Sequence, residues 1–288
     1  MSPAPQTEAN TEALQRMNDQ PSPDDAFDRA PRSRPRWPRA GLALGPLALA
    51  GLLPCLMVAP AAAEEWDITV SPYLWAAGIQ GKTSTLPGLP AADIDMSFGD
   101  VFKDIKPSGM VFFNANKGRL GFAADLQYVE TETKTKGLQP LFGGETLRST
   151  SFVASALVNY LVLDSARGSL RLGGGARLWS VETDLKLSDG LLPGRRRSHE
   201  ETWVDPILGG SGVVNLSPKI FARAWAYVGG FGIGADLTAD LFAGFGYRIT
   251  DSISSTLGYR WVKVDYERGD FLYDVRQDGI ATGISFAF

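Results

Sequence analysis

The chain is poor in the residues that do chemistry. Its 288 residues include one cysteine, Cys55, and one histidine, His199. Cys55 lies in the N-terminal fifth, so the rest of the chain offers neither a disulfide framework nor a thiolate. With one imidazole, a Ser/His/acid hydrolase would depend on His199 alone, oriented by a third group and facing a nucleophile. An excess of basic charge is also missing. The net charge is −4, and beyond residue 63 there are 22 basic against 26 acidic residues, which lacks the footprint of a nucleic-acid binder.

What is present divides the chain near residue 63. Residues 1–63 hold ten of the eighteen prolines. Residues 1–31 are polar and proline-rich with no apolar period, the composition of a disordered N-terminal extension. In residues 32–63, Arg32, Arg34, Arg36 and Arg39 precede an apolar run from Ala40 to Pro60, and Ala61-Ala62-Ala63 follows. A basic stretch, an apolar stretch and a small-residue site make a signal peptide cleaved before Glu64. A membrane anchor is the alternative, but Pro46 and Pro54 would break or kink its helix. Pro54 also fits poorly before a lipidated Cys55.

From Trp66 onward the dominant period is two. Trp66, Ile68, Val70, Pro72 and Leu74 fall on one face, with Asp67, Thr69, Ser71, Tyr73 and Trp75 on the other. That is the alternation of a strand. It returns in Leu120, Phe122, Ala124 and Leu126 against Gly121, Ala123, Asp125 and Gln127. About ten such segments start near 66, 107, 119, 147, 169, 200, 219, 235, 252 and 271. Several exceed the roughly 9–11 residues that cross a bilayer as a tilted strand. Tight turns at 117–118, 164–168, 217–219 and 250–251 alternate with long loops at 80–106, 134–146 and 187–200; the shorter links 229–235 and 267–271 fall on the loop side of the parity. This is the habit of a closed antiparallel up-and-down transmembrane β-barrel over 64–288, with ten strands expected and eight or twelve as alternatives.

A soluble barrel that carries ligand inside alternates in the same way with its faces reversed. Three features favour the membrane. Charges lie deep within strands on the polar face, at Asp67, Asp125, Asp205 and Asp240 and at Arg171, Arg177, Arg223, Arg248 and Arg260. A lumen would supply the partners or water they need. Aromatic residues, among them Trp66, Tyr128, Tyr160, Tyr247, Tyr259 and Trp261, sit toward strand ends like an interfacial girdle. Finally Ile280, Thr282, Ile284, Phe286 and Phe288 share one face at the end of the chain. Ile284, Phe286 and Phe288 resemble the terminal signature that barrel assembly machinery reads.

Other patterns carry less. Asp93, Asp95, Asp100 and Asp104 miss the spacing of a calcium loop, and alternating Ile94, Met96 and Phe98 predict a short strand there. Gly229-Gly230-Phe231-Gly232-Ile233-Gly234 precedes no helix that could offer its N-terminus to a phosphate, and reads as a flexible link between strands. Neither a metal nor a cofactor is expected.

Ser71-Pro72-Tyr73-Leu74-Trp75-Ala76-Ala77-Gly78 after Trp66, Trp203-Val204-Asp205-Pro206 and Leu257-Gly258-Tyr259-Arg260-Trp261 together resemble a group of proteobacterial outer-membrane barrel proteins, and more distantly the OmpA membrane domain and OmpW. The resemblance spans residues 66–288. It implies a barrel in the Gram-negative outer membrane, in contact with its lipid and lipopolysaccharide, and implies no particular ligand. The expected role is a non-enzymatic structural or surface-interaction protein, monomeric, with the charges forming a lumenal network. A narrow channel for small polar solutes and a lipid-modifying or proteolytic enzyme using His199 are the alternatives.

Overall fold

The computed structural model describes residues 66–86, 90–135, 141 and 143–288. The extension 1–31 and the signal peptide 32–63 lie outside the described residues. The period-two stretches form strands β1 (Asp67–Ser84), β2 (Ala92–Met96), β3 (Gly109–Lys117), β4 (Leu120–Thr135), β5 (Glu145–Ser165), β6 (Gly168–Leu187), β7 (Arg195–Asn215), β8 (Ile220–Gly230), β9 (Leu237–Arg248), β10 (Ile253–Arg268) and β11 (Phe271–Ala287). A short helix, α1 (Phe98–Asp104), follows β2.

From β3 to β11 each strand pairs antiparallel with the next, and β11 returns to β1 from Thr69↔Ala287 to Ser84↔Leu272. Ten strands therefore close a barrel, with no free edge around the ring at its lower levels. The eleventh strand, β2, is an addition. It takes the upper half of the β1 edge (Ile79↔Met96 to Thr83↔Ala92), while β3 takes the lower half (Asp67↔Asn116 to Tyr73↔Met110). The short strand expected around residues 94–98 is this element, but Phe98 belongs to the helix. Ser97 ends the strand because its hydroxyl accepts from the Asp100 amide at 3.3 Å and so caps α1.

Large apolar side chains face outward: Leu74 is 70% exposed, Phe245 64% and Leu257 59%, whereas Asp205 and Asp240 are buried. A soluble barrel would show the reverse, so this wall is built to meet lipid. Trp66, Tyr160 and Tyr247 lie outward near the tight turns, while Tyr128 and Tyr259 lie outward further along their strands. Gly118, at φ 56°, supplies the left-handed residue that lets β3 turn straight into β4. Such turns lie at one end, together with the start of β1 and the end of β11. Bacterial barrels place short turns in the periplasm and longer loops outside.

The loop expected at 187–200 is shortened to 188–194, since β6 runs to Leu187 and β7 begins at Arg195. The loop expected at 80–106 is likewise shortened, because β1 persists to Ser84, and it contains β2 and α1. These upper strand segments stand clear of lipid, so their outward positions are charged and the apolar alternation fades. At the top of the barrel β7 rises past its neighbour: Ile207–Asn215 pair with β8, but Arg195–Pro206 pair with β6 alone.

Candidate functional site in the lumen

Inward positions bring distant strands together at mid-height. Asp240 on β9 and Asp125 on β4 are the two carboxylates, and Arg260 on β10 joins them. Its Nε and Nη2 donate to Asp240 Oδ1 and Oδ2 at 3.1 and 2.6 Å, a forked contact, and Nη2 also reaches Asp125 Oδ2 at 2.8 Å. Arg177 on β6 donates to Asp240 Oδ2 at 2.6 Å and to Ser155 Oγ on β5 at 2.8 Å. Tyr73 on β1 donates its hydroxyl to Asp125 Oδ1 at 2.7 Å and accepts from Arg260 Nη1 at 2.8 Å. Gln127 and the Trp225 indole donate to Asp125 and Asp240, each at 2.9 Å. Two acids and two bases are thus neutralised inside the wall, and every carboxylate oxygen of the pair accepts a bond.

Above this network, toward the loops, the lumen is aromatic. Trp203 stacks on Tyr266 at 4.0 Å between ring centroids and on Trp179 at 5.8 Å, and Phe271 and Tyr273 close around them. The guanidinium of Arg260 lies 4.9 Å from the Trp75 ring, which joins the charged layer to the aromatic one. Together the two layers carry side-chain contacts across the lumen, from β1 and β4 to β10 and from β6 to β9.

The nine charged positions expected in the lumen divide into groups. Asp125, Arg177, Asp240 and Arg260 meet in the network. Asp205 lies opposite Arg177 across the β6–β7 pair, without an ion pair to it, and accepts from the Ala235 amide at 2.7 Å. Its Oδ2 and the indole N–H groups of Trp179 and Trp203 interact electrostatically without a direct hydrogen bond. Arg171 and Arg248 sit at the turn end, donating to Asn159 at 3.2 Å and to Asn215 at 2.6 Å. Asp67 is exposed at the same rim. Arg223 points into the lumen below the network with neither hydrogen bond nor ion pair among the described residues.

Tyr73, Gln127, Ser155 and Trp225 complete the network and were not singled out by sequence. Gln127, Ser155 and Trp225 occupy the same alternating face as a network charge or its cross-strand neighbour, which is the signal that could have found them, whereas Tyr73 on β1 reaches the network only across the ring. Ile284, Phe286 and Phe288 face outward beside the closing seam. The four aspartates near residue 100 are not gathered. Asp93 and Asp95 stand on β2 opposite Lys82 and Gln80, Asp100 bonds Ser97 and Lys103, and Asp104 bonds Thr133.

His199 faces inward at the loop end, 3.7 Å from Glu201, whose other oxygen accepts from Tyr266 at 2.7 Å. Outside the lipid-facing band, charged ladders run along the raised strands. Arg148 bonds Glu132 at 2.8 Å, which with Lys134 lowers that carboxyl to about 2, and Arg196 bonds Asp184, holding it below the usual range.

A closed antiparallel wall with apolar residues outward and neutralised charges inward defines a transmembrane β-barrel of the Gram-negative outer-membrane class. Solved structures of the same architecture include the translocator domain of the autotransporter NalP from Neisseria meningitidis (11% identity, TM-score 0.47, 83% of this chain and 93% of that one). The outer-membrane protease OmpT of Escherichia coli (8%, 0.38, 81% and 99%) and Neisserial surface protein A (14%, 0.32, 77% and 97%) are others. At these values the likeness is one of fold alone. No protein-family model and no curated protein matches the chain.

Proposed function

We propose that the protein is a non-conducting, non-enzymatic barrel of the outer membrane, related to the OmpA membrane domain and OmpW, whose working surface is the raised part of β4–β7. The observation that carries this reading is the filled lumen. A mid-height layer in which Asp240 alone accepts four hydrogen bonds, under a stacked aromatic layer, supports a lumen closed to ions, as expected for a barrel of ten strands. Outer-membrane lipid surrounds the apolar belt, lipopolysaccharide meets the charged ladders, and the assembly machinery takes the last strand through Ile284, Phe286 and Phe288. The barrel works as a monomer.

Planar-bilayer recording tests the reading. The expected trace shows no unitary steps, and linear, ion-selective conductance would establish the narrow channel instead. A hydrolase reading would give His199 a nucleophile, yet among the described residues its polar contact is Glu201. Cleavage of lipid A or a peptide by the wild type, abolished by His199→Ala, would replace the non-enzymatic assignment.

A further inference from the structure

Below the charged network, on the periplasmic side, the lumen keeps a cavity of about 50 Å³. We propose that it binds a short monocarboxylate taken from the periplasm. The cavity holds an excess of donors and a shortage of acceptors. Arg223 from β8 presents a guanidinium with neither hydrogen bond nor ion pair among the described residues. The Thr256 hydroxyl from β10 lines the same space, buried and without a partner. Ser71 and Ser285 share one hydrogen bond at 2.7 Å, which uses one of their two hydroxyl protons and leaves the other for a ligand in the cavity they line. Arg260 also faces this space, but its donors are engaged by Asp240, Asp125 and Tyr73. The acids nearest in the network are likewise spoken for.

An unpaired, half-buried guanidinium is costly, and a bidentate oxyanion relieves it most directly. The choice among oxyanions follows from the walls. Apart from the donors they are apolar, with Phe242 stacked on Trp225 at 4.1 Å, Phe112 on its other side, and Ala281 nearby. One free guanidinium matches a single negative charge better than a phosphate dianion, and the rings suit a methyl or ethyl tail. At about 10–15 Å³ for each water-sized space, the volume suits an anion of about four heavy atoms. The mouth favours an anion as well. Arg171 and Arg248, at the turn end of the lumen, are bonded to amide and carbonyl oxygens rather than to carboxylates, with Asp67 and Asp164 the acids that act on Arg171. A guanidinium-lined approach raises the local concentration of anions.

The test uses the whole barrel folded in detergent and 13C-labelled acetate at constant ionic strength, with binding read from line broadening. Saturable binding is expected, weakened at least about tenfold in Arg223→Gln, because a charge-assisted contact is lost. Thr256→Val, which removes only the hydroxyl, weakens it less, and Ala281→Leu, which fills the space, abolishes it. The boiling-dependent gel shift identifies folded variants, and if Arg223→Gln fails to fold the other two carry the test. Acetate that never saturates, equal binding in Arg223→Gln and wild type, or saturation by inorganic phosphate but not acetate would each overturn the proposal. Conductance is a separate readout, so failure here leaves the closed-lumen reading standing.

Discussion

Asp240 accepts four hydrogen bonds from three side chains and neutralises two guanidiniums that have no water to turn to. Asp240→Asn keeps the shape and removes the charge, leaving Arg260 with Asp125 and Arg177 with Asp205, its cross-strand neighbour, neither of which replaces the lost contacts. Breaking a buried pair from one side costs about 3–5 kcal/mol, and urea unfolding of the protein in lipid vesicles is expected to show a loss of that order. A loss below about 1 kcal/mol would mean that water reaches the layer. Arg260→Lys is also expected to destabilise, since an ammonium cannot make the forked contact. At the rim the electrostatics have a different weight. Glu132 titrates at about 2 rather than its ordinary 4.5, because Arg148 and Lys134 hold the ionised form. A lowered folded-state value adds stability above pH 4.5 that is lost as pH falls through about 2. The carboxyl should therefore remain ionised at pH 4 by NMR, and Arg148→Gln should return its midpoint toward 4.5. Both partners meet solvent, so global stability should move little in either case.

At the scale of elements, the strands were legible wherever lipid lies on one side and the lumen on the other. There the two faces must differ, and the period of two appears in β1, β4 and β5 as a plain alternation. The same strands became illegible where they rise above the membrane. Arg195-Arg196-Arg197-Ser198-His199-Glu200-Glu201 reads as a charged loop because nothing apolar faces outward at that height, yet it is β7 paired with β6. Charged residues could be assigned to the lumen from their alternation, but not paired. Arg260 and Asp125 are 135 positions apart, and their meeting depends on the registers accumulated around the ring. The raised strands make a topological prediction. Trypsin added to intact cells should cut at Arg195, Arg196 or Arg197, next to the exposed 188–194 link, and spare Arg119, Arg167 and Lys219 in the opposite turns. Cleavage at the turns in intact cells would invert the orientation.

For the whole molecule, closure and filling are separate sources of persistence. The seam between β11 and β1 runs from Thr69↔Ala287 to Ser84↔Leu272 through backbone hydrogen bonds, and none of these depends on the lumenal charges. The lumen adds side-chain contacts that cross the ring, tying β1 to β10 through Tyr73 and Arg260, and β4 to β10 through Asp125. A barrel held only by its wall can still resist detergent, because opening any strand pair in lipid exposes unpaired amides and carbonyls at several kcal/mol each. Cross-lumen contacts act chiefly on the temperature at which that wall gives way. The wild type should run faster on a detergent gel before boiling than after. Asp240→Asn should keep that difference at room temperature and lose it on heating at a lower temperature than the wild type. If Asp240→Asn shows no fast-running form at all, the charged layer is needed to close the ring, and the wall and its filling fold as one unit.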